Sequence, residues 1–414
     1  MPVNLNVPDL ITPVPGVQLG SIAAGLKKNG AADLVLVSLA PTSRVAAVFT
    51  RNTYCAAPVV VAREHLKTCS GDVRALLINS GGANAATGAQ GIGNARAHCA
   101  SVAELLDIDA TQVLPFSTGV IGEQLPEDIM HNGINKVHNC IGESAQHWRQ
   151  AAEGIMTTDT NYKQFSVQVE IAGADKPLTV AGYAKGSGMI QPNMATMLAY
   201  MFTDADVPEQ TLQNLLREVV DESFNSVTVD GDTSTNDACV LAATAASGVT
   251  LDESHTDWAA FRDAVEEVST WLSHALVRDG EGASKFITIN VHGGIERADC
   301  KQVALTVGNS PLVKTAFFAS DANLGRIVMA VGRSGIEYLD IEQFSLTLGD
   351  GERTADVMIK GQPAPDYTDA IGQSIMQSAE LVIGIDLGAG DASWTCWASD
   401  LSHEYVSINA DYRS

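Results

Sequence analysis

Lys185-Gly186-Ser187-Gly188-Met189-Ile190-Gln191-Pro192-Asn193-Met194-Ala195-Thr196-Met197-Leu198 lies near the middle of the chain. Its glycines and proline punctuate a turn, and Met197-Leu198-Ala199-Tyr200-Met201-Phe202 then reads as a buried strand. A threonine stands at the junction, directly after the small Ala195. In most strands a threonine only packs. Here it raises a second reading, because a hydroxyl becomes a nucleophile when a base removes its proton. Cutting the Ala195–Thr196 bond would place a new α-amine within reach of that hydroxyl. An α-amine titrates near ~8, so it could act as general base at neutral pH.

The pattern around this stretch mixes strands and helices. ADLVLVSLA (32–40), SRVAAVFT (43–50) and VRALLINS (73–80) are rich in Val, Leu and Ile and bounded by turn residues, as strands are. QVLPFSTGVIGEQLP (112–126) reads as a strand that breaks at Ser117-Thr118-Gly119. A helical stretch runs from Asn94 to Leu106. Leu212, Leu215, Leu216, Val219 and Val220 mark a helix face, with Asp206 and Glu209 spaced as a capping box. Trp258, Phe261, Val265, Val268 and Leu272 mark a second helix ending near Gly280. KFITINVHG then restarts a strand pattern at Lys285, and ELVIGIDLG (380–388) adds another, which places a domain break near 285. The strands cluster as hairpins rather than in strict strand–helix alternation, so helix-covered sheets are expected, not a doubly wound dinucleotide fold.

The chain has 414 residues, enough for two or three domains. Its 49 acidic and 25 basic residues leave a net charge of -24, which disfavours nucleic-acid backbones and anionic lipid as partners. Seven scattered cysteines, never spaced C-x-x-C, fit neither a disulfide framework nor a zinc site. The nine histidines lack metal-ligand spacing, His131 and His138 standing seven apart in a Gly/Asn-interrupted segment, so no metal is expected. No P-loop and no G-x-S-x-G elbow occurs. The first residues lack a basic and an apolar secretory region and no apolar run reaches a membrane span, so a cytoplasmic protein is expected.

Three polar segments remain. GGANAATG (81–88) lies between a strand and a helix and reads first as a tight turn, in the setting of an anion-binding loop. FSTGVIG (116–122) is similar, a strand running into a turn, and backbone N–H groups there could stabilise an oxyanion. VTVDGDTSTNDA (227–238) holds Asp230, Asp232 and Asp237, but not in the order of a calcium loop, and reads as a polar loop beside a site.

Taken together these segments resemble the bifunctional arginine-biosynthesis family of glutamate N-acetyltransferases, also called ornithine acetyltransferases. GLKKNGAADLVLV, AAVFTRNTYCAAPV, LLINSGGANAATG, STGVIGEQLP, IMTTDT, AKGSGMIQPNMATML, VDGDTSTNDA, EGASK and DLSHEYVSINADYRS carry the resemblance, which runs almost end to end. It implies an α/β sandwich of the N-terminal-nucleophile-like self-cleaving type, over about residues 1–285, with a smaller C-terminal α/β lobe over about 286–400 and a tail returning to the site. It implies self-cleavage between Ala195 and Thr196 into an α chain (1–195) and a β chain (196–414). Thr196 would be the nucleophile, Thr118 and Gly119 the oxyanion donors, and Thr157, Lys185, Thr196, Glu281, Asn409 and Ser414 the substrate-binding residues. The implied reaction moves acetyl from N-acetylornithine to glutamate by a ping-pong route, without a cofactor. Acetyl-CoA as a further acetyl donor is left open. The family also implies an (αβ)₂ heterotetramer. Departures from the family wording lie in GGANAATG, in SDANLGRI (320–327), where Ala322 and Leu324 replace the common Pro and Trp, and in Ser414, where threonine is frequent. The alternative is a related self-cleaving amidase or aminopeptidase that passes the acyl group to water.

Overall fold

The computed structural model describes residues 2–191 and 197–410. Before residue 285 the strands are β1 (Val17–Ile22), β2 (Leu34–Leu39), β3 (Arg44–Phe49), β4 (Ala75–Gly82), β5 (Val113–Val120), β6 (Lys163–Val169), β7 (Leu178–Lys185), β8 (Leu198–Thr203), β9 (Val227–Thr228) and β10 (Ala238–Ala243). The helices of that part are α1 (Ala57–Thr68), α2 (Gly88–Leu106), α3 (Glu127–His138), α4 (Ala145–Gly154), α5 (Glu209–Glu222) and α6 (Trp258–Arg278).

Two sheets stack face to face. One has the order β1-β2-β4-β5 and the other β3-β10-β8-β7-β6. The pleat explains the layering, because alternate residues of a strand point to opposite faces. Val35 and Val37 of β2 join one core with Tyr200 and Phe202 of β8, whereas Leu34 and Leu36 face Ala95 and Val102 of α2 and Ile134 of α3. On the far side Ala199 and Met201 of β8 meet Leu212 and Leu216 of α5 and Val265 and Leu272 of α6. The result is a helix–sheet–sheet–helix sandwich. Strand β8 sits inside the second sheet, parallel to β10 and antiparallel to β7, and all six of its residues are buried.

Three sequence expectations change. The strand through Ser117-Thr118-Gly119 does not break: β5 continues to Val120, because β4 pairs with it in parallel to its end and absorbs the irregularity as a bulge at Gly81–Gly82. The segment holding His131 and His138 is helical (α3) despite its glycine. Gly133 packs against the sheet where an added Cβ would lie 2.8 Å from Leu34 Cδ2. The capping box at Asp206 and Glu209 does not form: α5 begins at Glu209 after Pro208, and Asp206 instead accepts the Thr250 hydroxyl at 2.8 Å.

The remainder forms a seven-stranded sheet from β11 (Phe286–Gly294), β12 (Ser345–Gly349), β13 (Thr354–Ile359), β14 (Gln362–Pro363), β15 (Glu380–Asp386) and β16 (Ala392–Ser399), in the order β14-β13-β12-β15-β11-β16-β9. Helices α7 (Arg297–Gly308), α8 (Pro311–Phe318), α9 (Gly325–Gly332) and α10 (Asp369–Met376) share its apolar core. Its edge strand β9 comes from the earlier part of the chain and pairs in parallel with β16. A last helix, α11 (His403–Ala410), buries no side chain and runs back to the sandwich. Among the described residues no helix is long and apolar enough to cross a membrane.

Candidate active site

Strands β5 and β7 end, and β8 begins, around a cavity of about 280 Å³. Its wall includes Thr118, Gly119, Thr157, Lys185, Glu281 and Asn409, six residues singled out in the sequence, together with Ala83, Met197, Ser234, Asn236 and Asp237. Ala195, Thr196 and Ser414 lie outside the described residues. Met197, which follows Thr196 in the chain, is buried in the cavity wall, and its carbonyl accepts the Ala238 N–H at 3.1 Å.

Gly119 is the position where only glycine fits. Its φ is +129°, and an added Cβ would lie 2.6 Å from Gly81 O and from Gly82 N. A side chain there would collide with backbone on the neighbouring strand. The turn is held from below. Ser117 donates to Asn79 Oδ1 at 2.6 Å, and Asn236 donates to Ser117 O at 2.8 Å and to Ala83 O at 2.6 Å. Such bracing fixes the backbone of the turn in advance, and N–H donors held in place require no rearrangement during reaction.

Lys185, the last residue of β7, is 9% exposed, and its ammonium donates to Thr118 Oγ1 at 3.3 Å. That bond leaves the threonine's own proton to donate elsewhere. Burial lowers the lysine's pKa, while the carboxylates of Asp159, Asp237 and Glu281 oppose the shift. Glu281 is buried just after α6, and its backbone N–H donates to Ser187 O at 2.8 Å. Gly188 makes room for it: a Cβ there would stand 2.6 Å from Glu281 Oε1. Asn409 of α11 donates to Glu281 Oε2 at 2.7 Å, and Tyr405 of the same helix donates to Asp230 Oδ2 at 3.1 Å. Asp230 in turn accepts the Met189 and Ile190 N–H groups. A cation and a carboxylate in the wall of one cavity suit a small molecule bearing both a carboxylate and an ammonium.

Beneath the cavity lies a cluster that sequence reasoning did not single out. Asp159, inside the quoted MTTDT, accepts Thr157 N–H at 3.0 Å, Gly186 N–H at 2.7 Å and Lys163 Nζ at 2.6 Å. Its burial would raise its pKa, but Lys163 and Lys185 outweigh that and hold the carboxyl well below the usual range. Among the described residues no group of His, Cys, Asp and Glu could hold a metal ion.

A model of the ArgJ family matches residues 18–414. The chain is 46% identical over 416 residues, and over the full length of both proteins, to the arginine biosynthesis bifunctional protein ArgJ of Pseudomonas fluorescens (strain Pf0-1). Among solved structures, the ArgJ protein of Bacillus halodurans is 35% identical at a TM-score of 0.49, covering 52% of this chain and 99% of that one. The ornithine acetyltransferase of Mycobacterium tuberculosis, solved with ornithine, is 39% identical at a TM-score of 0.42, covering 44% of this chain and 94% of that one.

Proposed function

The chain belongs to the ArgJ family, and from that we propose that it transfers the acetyl group of N-acetylornithine to glutamate in arginine biosynthesis. The observation that carries the reading is the convergence of Thr118, Gly119, Thr157, Lys185, Glu281 and Asn409 on one cavity whose wall includes the neighbour of Thr196.

The Thr196 hydroxyl first attacks the carbonyl of Ala195, and hydrolysis of the resulting ester frees a chain that begins at Thr196. In the first half-reaction the same oxygen attacks the acetyl carbonyl of N-acetylornithine. Its proton passes to the α-amine and on to the leaving ornithine nitrogen as the C–N bond breaks. The Thr118 and Gly119 donors meet the oxyanion. In the second half-reaction the amine of glutamate attacks the acetyl ester and the threonine oxygen leaves with a proton. Two substrates taking turns at one site give ping-pong kinetics. Both carry an α-carboxylate, which suits Lys185, and ornithine carries an ammonium besides, which suits Glu281. The two chains stay interleaved, because β8 pairs with β7 and β10 pairs with β3 across the cleavage point, and they assemble as (αβ)₂. No cofactor takes part, and acetyl-CoA serves as an acetyl donor only if it can load the same threonine.

The test is to mix the protein with N-acetylornithine, quench, and look for the acetyl mass on the 196–414 chain. Glutamate should discharge it and release N-acetylglutamate. Discharge by water at the same rate without glutamate would point to an amidase instead. Parallel assays with acetyl-CoA and glutamate alone decide the second donor, and light scattering of the eluted protein decides the assembly.

A further inference from the structure

Lys163 stands at the start of edge strand β6 with its side chain entirely shielded from solvent, between two carboxylates that are equally buried. Its ammonium lies 2.6 Å from Asp159 Oδ1 and 2.7 Å from Asp279 Oδ2. A buried lysine is costly unless paired, and a pair of buried carboxylates is costly without a cation between them. Each of the three is therefore fixed by the other two.

What matters is where the cluster's remaining bonds go. Asp159 takes the N–H of Thr157 and the N–H of Gly186, the residue after Lys185. Asp279 takes the Thr160 N–H at 3.0 Å, the Asn161 N–H at 3.3 Å and the Thr160 hydroxyl, and it stands two residues before Glu281 at the end of α6. One ammonium thus ties together the loop of Thr157, the end of β7 that carries Lys185, and the helix end that carries Glu281. These three segments come from distant parts of the chain, and each supplies a wall of the cavity. Burial disfavours the Lys163 charge, yet Asp159 and Asp279 reverse that and raise its pKa, so the tie stays ionised throughout the neutral range.

We propose that Lys163, with Asp159 and Asp279, is a positioning residue that holds Thr157, Lys185 and Glu281 at the mutual spacing needed to grip an α-amino-acid substrate. The proposal rests on the acetyl-transfer reading for its substrate. Lys163 touches no substrate itself. Removing it should loosen the grip on both amino acids while leaving the Thr118–Gly119 turn, which is braced separately by Asn236, in place. The loss should fall on KM more than on kcat.

The experiment compares Lys163→Met and Asp279→Asn with the unmodified chain, following cleavage by intact mass, folding by thermal melt, and KM and kcat for N-acetylornithine and for glutamate. Asp279→Asn keeps an oxygen for the Thr160 and Asn161 N–H groups, so it decides the matter if Lys163→Met does not fold. For either variant the expected result is a KM raised tenfold or more for both substrates, with kcat reduced less than threefold. A Lys163→Met/Asp279→Asn double variant, which removes one of the two carboxylates that Lys163 pairs, should recover melting temperature without recovering KM. Unchanged KM in the folded variants, or a KM that recovers together with the melting temperature, would overturn the proposal and leave the cluster a packing device. Absence of acetyl transfer in the unmodified chain would instead overturn the functional reading, and the proposal with it.

Discussion

Gly119→Ala isolates the oxyanion turn from the rest of the site. At a φ of +129° an alanine carries backbone strain of about 1–3 kcal/mol. Its Cβ would also stand 2.6 Å from Gly81 O and Gly82 N, where ordinary contact begins at 3.4 Å. Those atoms are backbone of the paired strand β4, so no side chain can swing aside. Relief requires the end of β5 to move by roughly 1 Å, a misplacement that can cost on the order of 100-fold in rate. The strain and the crowding together should remove about 2–5 kcal/mol of stability. Lys185, Glu281 and Asn409 sit on other elements, so KM for both amino acids should change less than threefold while kcat falls about 100-fold. Self-cleavage also passes through a tetrahedral intermediate, so the fraction processed must be measured by mass and the kinetics referred to the processed protein. A kcat within threefold of the unmodified enzyme, with an unchanged melt, would refute the role given to this turn.

Glu281→Gln keeps an oxygen for the Asn409 amide but removes the charge facing the cavity; loss of one charge-assisted hydrogen bond, about 1.5–3 kcal/mol, should raise KM for N-acetylornithine by about 10–100-fold, and by more than KM for glutamate, which carries no side-chain ammonium; steady-state kinetics with both substrates would expose an unaffected KM for N-acetylornithine. Acid should destabilise the fold through His274. Its ring is packed against Phe286 and Trp397, and burial, followed by Arg278, lowers its pKa to about 4. The unfolded chain takes up that proton near the ordinary value of 6.5. Stability is therefore full above 6.5 and falls as pH drops toward 4, by at most about 3 kcal/mol at 1.36 kcal/mol per unit. Urea melts at pH 7 and pH 4.5 should show that excess loss in the unmodified protein and not in His274→Gln; equal losses would remove His274 from the account.

Much of this site could be read in the sequence because its backbone frame is local. Runs rich in Val, Leu and Ile mark β2, β3 and β4, the glycines mark Gly119 and the turn after Lys185, and the i, i+3, i+4 apolar spacing marks α5 and α6. The polar loop from Val227 to Asp237 was legible as such, and it does wall the cavity. What escaped was set by distant contacts. Lys163 alone reads as a solvated residue before a strand; its burial depends on Asp279, 116 residues away. Asp159 stood inside a quoted motif, yet nothing local shows that it links Thr157 to Gly186. Asp206 matched a capping pattern, but a tertiary bond to Thr250 claimed its carboxylate. Gly133 interrupts the segment of His131 and His138 in the sequence, although a helix packed tightly on a sheet can require glycine there. Two-residue β9 carries no pattern at all, and only its pairing with β16 makes it a strand.

The central claim is that Thr196 is a nucleophile exposed by cleavage after Ala195. Intact mass spectrometry of the purified protein beside its Thr196→Ala variant tests it most directly. The account predicts two polypeptides in the unmodified protein, residues 1–195 and 196–414, and one uncut chain of 414 residues in the variant. A single uncut chain in both, from protein that is folded and active in acetyl transfer, would contradict it.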